Sequence, residues 1–390
     1  MRRIGWFILA SLSLFLLTAC QAGPKEKTTS NNVIGDEIVI GANFELSGSA
    51  AAYGNVELNG VKLAVQEINN AGGVNGKKIK LVYKDNKTEN AESSSVALNF
   101  AVNSKIVAMV GPATSGAIQA VTPVVNRMGI PTVTPSGTAD TLTVMKNGKT
   151  QPYIFRSCFQ DSFQGKILEK YAMDYLHAKK VVLLKDSSTD YSQGVANAFL
   201  GDYKGEVVQK MNYTSGDKDF QAQLTKIKNQ NFDALVIPCY YTEAGLIIRQ
   251  ARELGIKQLI LGGDGFSDEK LTQTAGKKNI HDVFYSDHFS LKAPATNKVK
   301  PFAMHYKQEY GQEASAFAAL AYDSVYMIKQ AIEDTQAKTS KDIKTGLAEL
   351  KNFKGVTGVM TMKDHNPEKS AAVIGLTEGK ETSATVVEVD

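Results

Sequence analysis

Hydroxyl-bearing loops follow two apolar runs, and their residue types suit the capture of an anion. Ile106–Val110 is short and apolar, and a glycine-closed loop with Thr114 and Ser115 comes next. Residues 130–134 form a second such run, which Pro-Ser-Gly-Thr at 135–138 closes. Each run is typical of a buried parallel strand. A helix beginning near Ser115 would direct its free N–H groups and its dipole at a carboxylate or phosphate.

The segments that follow predicted strands fall into two chemical groups. Ligands of open parallel sheets bind beyond the carboxyl ends of the strands. In the first half these segments are rich in hydroxyls and are interpreted as neutral; they are residues 44–48, 112–115 and 135–138. In the second half they include Tyr240, Tyr241 and the acid Asp264, and lie at residues 185–188, 239–242 and 262–265. Asp264, between glycines, suits a cation. The two halves together favour a ligand that carries both a carboxylate and an ammonium group.

The sequence lacks the motifs of catalysis and of nucleotide or metal binding. No GxGxxG follows the first strand, and Gly-Lys-Thr at 148–150 lacks the earlier glycine of a P-loop. Ser115 is not part of a GxSxG elbow. His281 and His288 have no cysteine cluster near them, and there is no HExxH. We therefore expect a binding protein that is not an enzyme and that holds no cofactor and no metal.

The elements that position these loops alternate between strand and helix. Strands are predicted at residues 37–42, 80–84, 106–110, 130–134, 153–156, 180–184, 207–213, 233–238, 258–261 and 371–376, with a hairpin at 356–362. Helices are predicted at residues 60–69, 91–102, 163–176, 191–203, 220–228, 244–254, 300–310, 315–332 and 341–350. Two series of about five strands each predict an α/β fold with two doubly wound parallel-sheet lobes.

The N-terminus has the features of an export signal. Arg2 and Arg3 precede an apolar run, which ends in Leu-Thr-Ala-Cys at 17–20. Residues 1–19 are therefore predicted to be a signal peptide. Small residues before Cys20 resemble the bacterial lipobox, in which the cysteine is lipidated and becomes the mature N-terminus. The alternative is an ordinary signal peptide with an incidental cysteine. The polar sequence at 20–36 predicts a lipidated cysteine followed by a flexible tether.

Length, charge and cysteine spacing limit where the protein is expected to act and what it is expected to bind. The 390 residues are enough for two domains. Lys and Arg number 44 against 40 Asp and Glu, so charge gives no reason to expect a nucleic-acid partner. No later stretch is apolar enough to cross a membrane, and we expect an extracytoplasmic lipoprotein anchored to the cell membrane through Cys20. Cys158 and Cys239 have no CxxC spacing, which favours two buried thiols over a disulfide.

Short motifs in a characteristic order resemble the solute-binding proteins of branched-chain amino acid ABC transporters, of the leucine/isoleucine/valine-binding type. The motifs are Ala-Tyr-Gly at 52–54, Ile-Asn-Asn-Ala-Gly-Gly at 68–73, Val-Gly-Pro-Ala-Thr-Ser at 110–115, Thr-Pro-Ser-Gly-Thr at 134–138, Lys-Asp-Phe at 218–220, Ile-Arg-Gln-Ala at 248–251 and Ala-Phe at 316–317. The resemblance implies a type I periplasmic-binding-protein clamshell with three crossovers. On this fold we assign residues 37–157 plus 288–370 to an N-terminal lobe and residues 158–287 plus 371–390 to a C-terminal lobe.

The resemblance also implies which residues hold a free amino acid. The implied zwitterion contacts are Ser115 and Thr138 for the α-carboxylate, the Ser136 carbonyl and Asp264 for the α-ammonium, and Tyr191 and Tyr240 from the second lobe. The residues implied to enclose the aliphatic side chain are Tyr53, Ala113, Gly137 and Phe317. The family's acid is commonly glutamate, so Asp264 leaves the side-chain preference open. Structural alternatives are helix caps for Ser115 and Thr138, and core aromatics for Tyr53 and Phe317.

The main expectation is a monomeric receptor that captures Leu, Ile or Val and delivers it to the transmembrane permease subunits of an ABC transporter. The alternative is a receptor of the same fold for an amide, an aromatic acid or another amino acid. Asp264 favours the amino acid, because relatives with other ligands tend to lose this acid. The lack of a catalytic constellation argues against an exported hydrolase. The signal segment argues against a transcription regulator.

Overall fold

The computed structural model describes residues 32–389, and its first half is a five-stranded parallel sheet. The strands are β1 (Ile38–Phe44), β2 (Ile79–Asp85), β3 (Ile106–Val110), β4 (Thr132–Thr134) and β5 (Ile154–Arg156). Their order in the sheet is β2-β1-β3-β4-β5, and every neighbouring pair is parallel. The carboxyl ends of β1, β3 and β4 therefore meet at one edge, where the hydroxyl-bearing loops lie.

Three helices alternate with these strands: α1 (Ala51–Asn70), α2 (Asn90–Ala101) and α3 (Ser115–Met128). The apolar stripe of α1 buries Val61, Ala64 and Ile68 against one face of the sheet, as the helical spacing predicts. Residues of α2 and α3 pack on the opposite face. The sheet is therefore doubly wound, as the sequence predicts.

A second run of alternating elements builds another parallel sheet. It comprises α4 (Asp161–Lys170), β6 (Lys180–Asp186), α5 (Asp190–Asp202), β7 (Glu206–Tyr213), α6 (Gln221–Ile227), β8 (Ala234–Val236), α7 (Tyr241–Glu253), β9 (Leu259–Gly262), α8 (Glu269–Ala275) and β10 (Val283–Asp287). Strands β6 to β10 pair in parallel in the order β7-β6-β8-β9-β10. We call the parts of the molecule built on these two sheets the first and the second lobe.

The chain then returns to the first lobe with α9 (Val299–Tyr310), α10 (Ala316–Thr335) and α11 (Ser340–Ala348). Helix α10 packs closely on α1, because Gly60 has no side chain: a Cβ there would lie 2.1 Å from the Ala318 carbonyl oxygen. A small antiparallel sheet follows, formed by β11 (Phe353–Lys354), β12 (Val359–Lys363) and β13 (Asn366–Glu368).

The last two strands, β14 (Ala371–Thr377) and β15 (Lys380–Val387), return to the second lobe and extend its sheet in antiparallel fashion. The full order is β15-β14-β10-β9-β8-β6-β7. The chain therefore crosses between the lobes three times, at residues 157–160, 288–298 and 369–370. No helix within 32–389 is both long and apolar enough to cross a bilayer.

The sequence predicted the alternation and the two doubly wound lobes, and the structure confirms both. It missed β10 and β15. The apolar run of β10 is short and ends in Ser286 and Asp287, and β15 is a mostly exposed edge strand with the polar sequence KETSAT. The predicted hairpin at 356–362 contributes only β12, which pairs on both sides.

Of the N-terminal segments predicted at residues 1–36, the structure describes only residues 32–36. The signal peptide at 1–19 and the lipidation at Cys20 lie outside the described residues. Of the predicted tether, residues 32–36 are described, and two of them are fixed to the first lobe. Asn32 Nδ2 donates to the Ile106 carbonyl at 2.6 Å, and the Ile34 N–H donates to the Lys338 carbonyl at 2.9 Å. A tether that begins at Cys20 therefore ends before residue 32.

Candidate ligand-binding site

The first-lobe side of the site is the start of α3 and the loop after β4. Ser115 is the first residue of α3, and its Oγ accepts a hydrogen bond from the Ala139 N–H at 3.2 Å. This contact joins the two loops that the sequence singled out. It also leaves the hydroxyl hydrogen of Ser115 available to donate. Ser115 is buried, so such a donor acts in a low-dielectric environment.

The N–H groups just before α3 already have an acceptor. The Glu45 carboxylate accepts from the N–H groups of Ala113 at 3.0 Å and Thr114 at 3.1 Å, and from the Thr114 hydroxyl at 2.8 Å. Burial raises the pKa of Glu45, and these hydrogen bonds oppose the rise. The segment after β1 therefore contributes an acid as well as hydroxyls to this side of the site. The N–H groups that remain free to attract an anionic ligand therefore lie in the first turn of α3.

A buried arginine fixes the loop after β4. Arg156 Nη1 donates to the carbonyls of Gly137 at 3.0 Å and Thr138 at 2.7 Å, and Nη2 donates to the Ala139 carbonyl at 2.9 Å. The loop backbone is thereby tied to the end of β5. Thr138 Oγ1 is buried and faces the buried carboxyl of Asp161, the first residue of α4. The structure thus leaves this hydroxyl without the helix-capping role that was the alternative.

The Ser136 hydroxyl is hydrogen-bonded to both a backbone carbonyl and a buried acid. Its hydroxyl donates to the Ala113 carbonyl at 3.0 Å and also contacts Glu57 Oε1. One hydroxyl proton cannot serve both acceptors. Burial raises the pKa of Glu57 well above its usual range, so this carboxyl is protonated and can donate to Ser136 Oγ. The wall of the cleft beneath Ser136 is therefore uncharged.

The second-lobe side is the turn after β9. Asp264 is buried there, and its N–H donates to Gln164 Oε1 at 2.6 Å. The following N–H, of Gly265, donates to the Tyr191 hydroxyl at 2.9 Å. The rings of Tyr191 and Tyr240 are stacked with centroids 5.0 Å apart. The carboxylate of Asp264 thus lies on a backbone that two side chains hold in place.

Direct contacts close the two lobes on each other. The Tyr53 hydroxyl, from α1, donates to the Gly265 carbonyl at 2.6 Å and accepts from the Tyr241 N–H at 3.1 Å. At the rim, the Tyr241 hydroxyl donates to the Ser49 carbonyl at 2.7 Å. Tyr53 also stacks on Phe317, with centroids 4.3 Å apart. Both aromatics are therefore part of the surface between the lobes rather than of one lobe's core.

Eight of the ten predicted ligand-binding residues line one cavity between the lobes: Tyr53, Ala113, Ser115, Ser136, Tyr191, Tyr240, Asp264 and Phe317, together with Thr114 and Gly265. Gly137 and Thr138 are not among its lining residues. The cavity volume is about 10 Å³, which is about the space of one water molecule. In this closed arrangement the lobes must separate before anything larger can enter.

Four residues that build the site received no role from the sequence: Glu45, Glu57, Arg156 and Gln164. Glu45 follows β1, so the strand-end rule already contained it. Glu57 lies one helical turn after Tyr53 on the buried face of α1, where an acid is unusual. Arg156 and Gln164 gave no local signal, since their partners are backbone groups brought near only by the fold. Cys158 and Cys239 are both buried and unpaired, as their spacing favoured.

Comparisons with known proteins agree with this geometry. The family model described as periplasmic binding protein matches residues 37–381. The Leu/Ile/Val-binding protein BraC3 of Rhizobium johnstonii is 33% identical over 83% of this chain and 87% of its own. The Leu/Ile/Val-binding protein homolog 3 of Brucella melitensis is 31% identical over 80% of this chain and 84% of its own.

Two solved structures have the same fold. LivJ of Streptococcus pneumoniae, a branched-chain amino acid transporter substrate-binding protein in complex with isoleucine, is 47% identical; the match covers 90% of this chain and 99% of LivJ, with a TM-score of 0.86. The leucine-binding protein LivK of Thermotoga maritima is 30% identical over 90% of this chain and 98% of its own, with a TM-score of 0.82. The chain therefore belongs to the periplasmic binding protein family, among the solute-binding proteins of branched-chain amino acid ABC transporters.

Proposed function

We propose that the protein is a receptor that captures Leu, Ile or Val between its lobes and delivers it to an ABC permease. One observation carries the proposal: Ser115, at the start of α3, and Asp264, on the other lobe, line the same cavity. A helix N-terminus with a hydroxyl attracts a carboxylate, and a buried carboxylate attracts an ammonium group. A free α-amino acid presents both groups, a fixed distance apart.

The rest of the cavity suits an apolar side chain. Tyr53, Phe317 and Tyr240 contribute aromatic surface, and Ala113 leaves room for a branched group. The first-lobe acid that contacts Ser136, Glu57, is protonated and shares its proton with Ser136. A charged or strongly polar side chain would therefore find no ionic partner on this wall. Burying a Leu-sized side chain contributes about 1.5–3 kcal/mol.

Binding requires the lobes to open and close again. The three crossing segments are the only covalent links between the lobes in residues 32–389, so they form the hinge. Charge-assisted hydrogen bonds contribute about 1.5–3 kcal/mol each. We infer that those made by Ser115, Thr138 and Asp264 stabilise the closed complex around the ligand.

Family membership implies an extracytoplasmic location. We further propose that residues 1–19 are removed, that Cys20 carries the lipid anchor, and that the protein acts as a monomer on a tether beginning at Cys20. The sequence Leu-Thr-Ala-Cys after an apolar run supports the anchor. The protein is a receptor and not an enzyme, since its relatives are binding proteins.

Calorimetric titration of the chain beginning after Cys20 with each of the twenty amino acids tests the ligand class. We expect Leu, Ile and Val to bind with micromolar or tighter affinity and charged amino acids not to bind. Failure of all three branched-chain amino acids would overturn the proposal. Binding of an amide or an aromatic acid instead would support the alternative receptor of the same fold. Trp6 is the only tryptophan and is absent from this chain, so tryptophan fluorescence offers no substitute.

A further inference from the structure

A buried histidine contacts the acid that faces the ligand cavity. His288 is the first residue of the second crossing segment, directly after β10. Its Nε2 lies 3.2 Å from Asp264 Oδ2, and the side chains are only 1% and 4% exposed. No hydrogen bond from residues 32–389 reaches the other carboxylate oxygen of Asp264. The histidine therefore engages one oxygen and leaves the second for a ligand.

The protonation of His288 follows from its surroundings. Burial lowers its pKa to about 4, so the imidazole is neutral at neutral pH and carries one N–H. Its Nδ1 is buried and has no partner within the described chain. Its Nε2 faces the Asp264 carboxylate, whose oxygens accept hydrogen bonds. The proton therefore resides on Nε2, and the imidazole donates to Asp264.

Two of the three crossing segments hold the imidazole in this orientation. Phe159, from the first crossing segment, stacks on the ring with centroids 3.5 Å apart and planes 25° from parallel. The backbone N–H of His288 donates to Asp287 Oδ1 at 2.7 Å. Asp264 itself is fixed through its N–H by Gln164. Both partners of the His288–Asp264 hydrogen bond are therefore positioned independently of any ligand.

We propose that His288 is a positioning residue for ligand recognition: its Nε2–H holds one oxygen of Asp264 and aims the other at the ligand's ammonium group. This role rests on the proposed function, since it needs an amino acid in the cavity. A neutral donor orients the Asp264 carboxylate without introducing a positive charge that would repel the ligand's ammonium group.

Two variants separate positioning from packing. His288→Phe keeps a ring that can stack on Phe159 but removes the N–H donor. His288→Gln restores an N–H donor of similar reach. We expect leucine affinity, measured by calorimetry, to fall about tenfold in His288→Phe and to recover most of this loss in His288→Gln. A change below twofold in His288→Phe, or no recovery in His288→Gln, would overturn the proposal.

A second measurement does not depend on leucine binding or on either variant folding. Side-chain ¹H–¹⁵N correlation spectra of the unmodified protein report which imidazole nitrogen carries the proton. We expect the neutral Nε2–H form for His288 at pH 7; an Nδ1–H form or an imidazolium would refute the hydrogen bond on which the role depends. If the unmodified protein showed the Nε2–H form but bound no leucine, the proposed function would be wrong. The His288–Asp264 hydrogen bond would still be supported.

Discussion

The side-chain oxygen of Tyr53 lies 2.6 Å from the carbonyl oxygen of Gly265, although the two residues belong to different lobes and are 212 positions apart. The same hydroxyl accepts the N–H of Tyr241, so one phenol satisfies two backbone groups of the second lobe. All three groups are buried. The closed arrangement therefore has stabilising contacts of its own, at the edge of the ligand cavity and beside Asp264.

Tyr53→Phe should shift the lobes towards the open state. The variant keeps the ring stacked on Phe317 but leaves the Gly265 carbonyl and the Tyr241 N–H without their partner in the closed state, at a cost of about 1–3 kcal/mol. We expect leucine to bind about tenfold more weakly and the radius of gyration from small-angle scattering to rise without ligand. Tyr310→Phe is the matched control, because its hydroxyl bonds to Asn59 within the first lobe. Equal effects of the two variants would contradict an interlobe role.

Asp264→Asn should weaken leucine binding by at least tenfold. The substitution keeps the shape of the side chain and removes the charge that pairs with the ligand's ammonium group. Asp268→Asn is the matched control: it removes the same charge four residues later, and asparagine can still cap α8 as Asp268 does. Calorimetry on both variants checks the expectation. Unchanged affinity in Asp264→Asn would remove this acid from the binding site.

Arg156→Lys should destabilise the first lobe and loosen the loop that carries Ser136 and Thr138. Lysine cannot reproduce the two-pronged contacts of Arg156 with three successive carbonyls. We expect the free energy of unfolding in urea to fall by about 3–5 kcal/mol, the usual cost of breaking a buried charged network. Arg127→Lys, on the exposed end of α3, should change it by less than about 0.5 kcal/mol. Similar losses in both variants would show that the hydrogen bonds from Arg156 to the loop contribute little to the free energy of unfolding.

The parts of this molecule that the sequence predicted are those with a local signal. The alternation of strands and helices predicted both sheets. The rule that ligands bind at strand ends selected Ser115 and Asp264 independently of any resemblance. Arg156, Gln164 and His288 could not be found in this way. Each acts on a group far away in the chain, and 100 positions separate Gln164 from Asp264. A lone buried polar residue carries no periodicity, so only the tertiary structure reveals its partner.

His365 gives stability a predictable dependence on pH. The side chain is buried, stacks on Phe155, and its Nδ1 lies 2.9 Å from the Ile154 carbonyl oxygen. Burial lowers its pKa from 6.5 to about 4. Between these values the unfolded chain binds a proton that the folded chain does not, so stability falls as the pH drops below 6.5 and this contribution levels off near 4. From pH 7 to pH 5 the loss amounts to about 2 kcal/mol.

His365→Asn isolates this contribution from groups that titrate in the same range. His288 acts in the same direction, whereas the raised pKa values of Asp268, about 6, and Asp287, about 8, act in the opposite one. Asparagine tolerates the left-handed backbone at this position, where φ is 63°, and its amide can still donate. Urea unfolding of both proteins at pH 7, 6 and 5 should show the wild type losing about 2 kcal/mol more than the variant. Parallel curves would mean that His365 takes up a proton equally well in the folded and the unfolded chain.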